Sequence, residues 1–109
     1  MENALTWSYE IEGSDILALV KGRRLSDASI YSGVSFAPGD YMRDPLTETW
    51  WVKPPHGGRL GELREHQVQE HQDGTITVSP SILQGPGANP VKQPGWHGYL
   101  RAGVWEERA

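Results

Sequence analysis

A chain of 109 residues without cysteine has room for one domain with one core, and it excludes disulfides, thiolate chemistry and Cys-based zinc frameworks. A net charge of −4 and a pI near 5.5 argue against binding nucleic acid by phosphate neutralisation. The 14 acids are too scattered among 10 bases to form an acidic mimic of nucleic acid, and 13 Gly with 8 Pro favour turns and short strands over long helices.

Met1 to Thr6 has neither a basic start nor an apolar run, so no signal peptide is expected. In Thr6 to Glu12, Trp7, Tyr9 and Ile11 share one face of a strand. Gly13-Ser14-Asp15 follows as a turn, and Ile16 to Lys21 is the second arm of an opening hairpin. The alternative is a short helix capped by Ser14 or Asp15 and stopped by Gly22. The apolar run Ile16 to Val20 is too short to span a bilayer. Ser29 to Phe36 is predicted as another strand, with Ala37 to Asp40 as a loop. Thr47 to Lys53 suits a strand in which Trp50 and Trp51 face opposite ways, so both sides need cover.

Arg59 to Gln72 admits two structures. Leu60, Leu63 and His71 could line a helix, or Glu65 to Gln72 could be the first arm of a hairpin closed by Asp73-Gly74. The hairpin is the better fit, and a two-residue closure sets His71 opposite Ile76 and Glu70 opposite Thr77. From Thr75, polar and apolar residues alternate: Thr75, Thr77, Ser79 and Ser81 on one side, Ile76, Val78, Pro80 and Ile82 on the other. Pro80 has no amide donor, which marks an edge, a bulge or the strand's end. Gln84 to Gly95 is a surface loop. Trp96 to Leu100 and Val104 to Glu107 then form a hairpin joined by Arg101-Ala102-Gly103, pairing Leu100 with Val104 and Tyr99 with Trp105. The expected fold is therefore mainly β, a small single-domain antiparallel sheet or sandwich over residues 1–109, with room for one short helix.

Candidate chemistry is sparse. His66, His71 and His97 are the residues a metal-dependent enzyme would use, but their spacing carries no ligand signature, and neither metal nor cofactor is expected. Ser79 and Ser81 lack the strained elbow of a nucleophile, and Gly57-Gly58 and Gly85-Pro86-Gly87 are turns without the Lys-Ser/Thr of a phosphate loop. Aromatics left outside the core would serve as anchors for a partner, and the hydroxyl row would suit a polar ligand. The candidate binding residues are Trp51, Thr75, Ser79, Ser81, Trp96, His97, Tyr99 and Trp105.

The run Asp73-Gly74-Thr75-Ile76-Thr77-Val78-Ser79-Pro80-Ser81-Ile82, followed by Trp96-His97-Gly98-Tyr99-Leu100 and Gly103-Val104-Trp105, resembles a family of small uncharacterised proteins of tailed bacteriophages and their hosts. The shared pattern is a "DGTxTxSPSI" strand and a "WHGYLxxGVW" hairpin. The resemblance implies a phage or prophage accessory protein made in the bacterial cytoplasm. Its expected role is non-enzymatic: to bind and inhibit a host or defence-system protein, as anti-CRISPR proteins do, or to sequester a small nucleotide-like ligand. A virion assembly component is a further alternative, and a homodimer is compatible with either.

Overall fold

The computed structural model describes residues 15–92 and 94–109, so the Thr6–Glu12 strand lies outside the described residues. The described chain is mainly β. One four-stranded antiparallel sheet runs β1 (Ile16–Lys21), β10 (Val104–Arg108), β9 (Trp96–Arg101) and β8 (Ile82–Gln84). A second runs β2 (Arg23–Arg24), β3 (Asp40–Asp44), β4 (Thr49–Val52) and β5 (Gly61–Leu63), and a two-stranded ribbon pairs β6 (Gln67–Glu70) with β7 (Ile76–Ser79). The pairing is antiparallel, as expected, except between β2 and β3, a short parallel pair.

Residues 16–21 are strand, not the alternative helix. Ser29 to Phe36 is not a strand. Ser29 accepts the Tyr31 N–H and starts a single 3₁₀ turn over Ile30–Ser32, which Gly33 ends in the left-handed conformation at φ 84°. The strand in this region is instead β3, hidden in the sequence because aspartates bracket it. Both aspartates are buried, and both are satisfied. Asp40 accepts two bonds from the Arg23 guanidinium at 3.0 and 2.8 Å and a third from the Ala37 N–H at 2.8 Å. Burial pushes its pKa up, but the Arg23 hydrogen bond, the Ala37 N–H and the charges of Arg23 and Lys53 together hold it below the usual carboxylate value. Asp44 accepts the N–H groups of Ile30 (3.0 Å) and Leu46 (2.9 Å), the Ile30 bond doing most to lower its pKa.

The Thr75–Ile82 alternation is real but spans two strands. Pro80 cannot donate to a ladder, so β7 ends at Ser79 in the ribbon and β8 begins at Ile82 in the first sheet. Ile76, Val78 and Ile82 all point inward and are buried. Leu63, Trp50, Val52 and Tyr41 meet them from the second sheet, and Trp96, Leu100 and Trp105 from the first. Trp105 is the centre of this core, fully buried and edge-on to Trp96 at 5.2 Å, the geometry that aromatic quadrupoles prefer. Its indole N–H donates to the Gly39 carbonyl at 2.9 Å, tying the two sheets together. Gly22, between β1 and β2, lets the chain pass here. A Cβ on it would lie 2.9 Å from Trp105 Nε1 and 3.0 Å from the carbonyl oxygens of Gly39 and Gly103.

Both hairpins differ from expectation by one residue, in opposite directions. Across β6–β7, Glu70 faces Ile76 and Gln69 faces Thr77, with a three-residue loop Gln72-Asp73-Gly74. Across β9–β10, Arg101 faces Val104, Leu100 faces Trp105 and Tyr99 faces Glu106, with a two-residue loop Ala102-Gly103. A one-residue slip exchanges the faces of a strand. Leu100, rather than Tyr99, is therefore the cross-strand neighbour of Trp105.

Candidate functional site

The structure distributes the eight candidate binding residues between frame and surface. Trp96, Tyr99 and Trp105 are buried. Trp96 and Trp105 lie in the core, while Tyr99, on the other side of β9, sits beneath the Arg101 guanidinium at 3.5 Å. These three rings shape the surface without offering much of it. Trp51 is half-buried on the side of β4 opposite Trp50, whose ring takes the Arg24 guanidinium at 4.9 Å. Thr75 donates its hydroxyl to Asp73 Oδ1 at 2.6 Å, Ser81 offers its carbonyl to His66 Nε2 at 3.1 Å, and Ser79 is exposed. The hydroxyl row is therefore partly consumed. Thr77 Oγ1 accepts the Ala102 N–H at 2.8 Å and meets His71 Nε2 at 2.7 Å, stitching the two hairpins together.

His97 Nδ1 donates to the Ala109 carbonyl at 3.4 Å, so His66, His71 and His97 each enter a separate hydrogen bond. Among the described residues no group of three His, Asp or Glu side chains converges as a metal site would need.

His97, with the buried Trp96 beside it, opens onto a usable feature. At the end of the first sheet it lines a shallow hollow of about 290 Å³, with Leu17 and Leu83 at the rim and Gln84, Glu107 and Arg108 around it. Leu17, Leu19 and Leu83 are 59%, 65% and 73% exposed, and Val104 adds a fourth aliphatic side chain on the same outer face. The acidic side chains here are engaged. Glu106 is held by Arg108 Nε at 2.7 Å and by Arg101 at 3.4 Å, and Glu107 pairs with His56 at 2.8 Å. What remains for recognition is mainly apolar, with Lys21 at its edge opposite Val104.

An aromatic inventory misses these leucines, yet the sequence holds their signal. If Val20 faces Trp105, period two turns Leu19 outward, and if Ile82 is core then Leu83 cannot be.

No protein-family model, curated protein or solved structure matches this chain. No helix among the described residues is long and apolar enough to cross a membrane.

Proposed function

We propose that this chain is a non-enzymatic accessory protein of phage or prophage type that binds and inhibits a host or defence-system protein in the bacterial cytoplasm. The observation that carries the proposal is the hollow between Leu17 and Leu83, set in an aliphatic face whose Glu106 and Glu107 are already engaged. Such a face fits an apolar patch on a partner protein, because it buries leucines without stranding the carboxylates of Glu106 and Glu107. Each leucine fully covered contributes about 1.5–3 kcal/mol. The resemblance of the C-terminal pattern to small phage proteins supplies the biological setting.

The test is expression in bacteria that carry defence systems one at a time, scored by phage plaque formation. The wild-type chain should restore plaques against at least one system. The double variant Leu17→Glu, Leu83→Glu should lose that effect with unchanged melting, since both side chains already face water. Failure against every system, or full activity of the double variant, would overturn the proposal.

A further inference from the structure

A second cavity lies away from this face, between the turn that follows β4 and the long loop that precedes β9. Its volume is about 410 Å³, and its lining holds Lys53, Arg59 and Lys92 but no acidic residue. That is unusual for a chain with four more acids than bases. Of the other cations, Arg23, Arg24, Arg64, Arg101 and Arg108 form ion pairs with carboxylates. Among the described residues Lys53, Arg59 and Lys92 form none. Lys53 donates to the Phe36 carbonyl at 3.3 Å and acts on Asp40 only through its charge, and Arg59 Nη1 donates to the Gly85 carbonyl at 2.9 Å.

The arrangement is also held in place. The Gln84 side chain accepts the Arg59 N–H at 2.8 Å and donates to the Arg59 carbonyl at 2.7 Å, fixing the backbone from which the guanidinium projects. One guanidinium nitrogen is engaged by Gly85, which leaves donors of the planar fork for an oxyanion. Pro38 and Leu60 supply an apolar wall beside the cations.

We infer that this cavity binds a small phosphate-bearing molecule of nucleoside-monophosphate size, its phosphate held by Lys53, Arg59 and Lys92 and its apolar part against Pro38 and Leu60. Three cations match a phosphate ester better than a single carboxylate, because the ester carries nearly two charges and three strong acceptor oxygens. The volume lies within the range of small-ligand pockets and exceeds what inorganic phosphate alone would fill. Gly57-Gly58 is thus a turn, as its sequence indicates, but one that borders a basic cavity. This site does not depend on the protein-docking proposal.

The experiment is calorimetric titration of the full chain with AMP, inorganic phosphate and adenosine, alongside ³¹P NMR of AMP. AMP should bind, and added salt should weaken it. Phosphate should bind at least about tenfold more weakly, and adenosine not measurably, since the cations contribute the larger share. Lys92→Glu and Lys53→Met should each weaken AMP by at least about tenfold, the loss of one charge-assisted contact, and Lys92→Glu should do so with unchanged melting. Leu17→Glu, Leu83→Glu should leave AMP binding intact, which separates this site from the docking face. Absence of AMP binding at millimolar concentration, equal binding of adenosine, or unaffected lysine variants would overturn the inference. Phosphate binding as tightly as AMP would overturn its nucleoside part.

Discussion

The two hairpins of the C-terminal half use different turns for reasons that lie at different distances. In the β6–β7 loop only Gly74 takes a positive φ, 88°, and the loop is secured from within. Asp73 Oδ1 accepts the Thr75 N–H at 3.0 Å, and the Gly74 N–H reaches the His71 carbonyl at 3.0 Å. One left-handed residue at the end of a three-residue loop is the bulged type. In the β9–β10 loop Ala102 and Gly103 are both left-handed, at 47° and 77°, as a two-residue turn of the mirror-image type requires. Alanine does not favour that conformation, so tertiary contacts impose it. The Gly103 N–H donates to the Ile76 carbonyl at 3.0 Å, the Gly103 carbonyl accepts the Gly22 N–H at 2.7 Å, and the Ala102 N–H reaches Thr77 Oγ1. The first turn is set by its own residues, the second by the rest of the fold.

That contrast can be broken at several points. The largest effect is expected from Gly103→Ala. Its Cβ would lie 2.8 Å from Thr75 Cγ2 at a left-handed φ, costing about 3 kcal/mol in urea unfolding. Next is Thr77→Val, which removes the hydroxyl shared by Ala102 and His71 and should cost about 1–2 kcal/mol, with faster amide exchange at Ala102 as its specific readout. Ala102→Gly should stabilise by about 0.5–1 kcal/mol, because it relieves backbone strain that the tertiary contacts now oppose. The smallest effect is expected from Asp73→Ala, which weakens the local turn alone. The Thr75 hydroxyl, and then its N–H, hold the Asp73 pKa below the ordinary carboxylate value. A lowered folded-state pKa means that this contribution is complete above about pH 4 and is lost as pH falls through the folded value. The stability difference between wild type and Asp73→Ala should therefore shrink in acid.

The same contrast explains what could be read from the residues. The alternation around Ile76, Val78 and Ile82 reports the core side because burial acts on each side chain locally, whichever sheet its strand joins. The β6–β7 hairpin was legible as a hairpin, but Asp73-Gly74 alone did not settle two residues against three, since Asp tolerates either conformation. The β9–β10 register was out of reach, because Ile76, Thr77 and Gly22 decide it and all lie far along the chain. β3 was masked for a similar reason. Asp40 and Asp44 are poor strand formers until Arg23, Ala37, Ile30 and Leu46 supply their hydrogen bonds. At the candidate docking face, His97 was anticipated, while Leu17 and Leu83 follow only once Val20 and Ile82 are known to point inward. The basic cavity could not be foreseen, since Lys53, Arg59 and Lys92 converge only through the fold.

Core and docking face both depend on which residue of β9 stands beside Trp105, and cross-strand proton contacts by NMR read that directly. Nuclear Overhauser effects should link the backbones of Arg101 and Val104, Leu100 and Trp105, and Tyr99 and Glu106. A pattern joining Leu100 to Val104 and Tyr99 to Trp105 would contradict the account, because the slipped strand would exchange its buried and open sides.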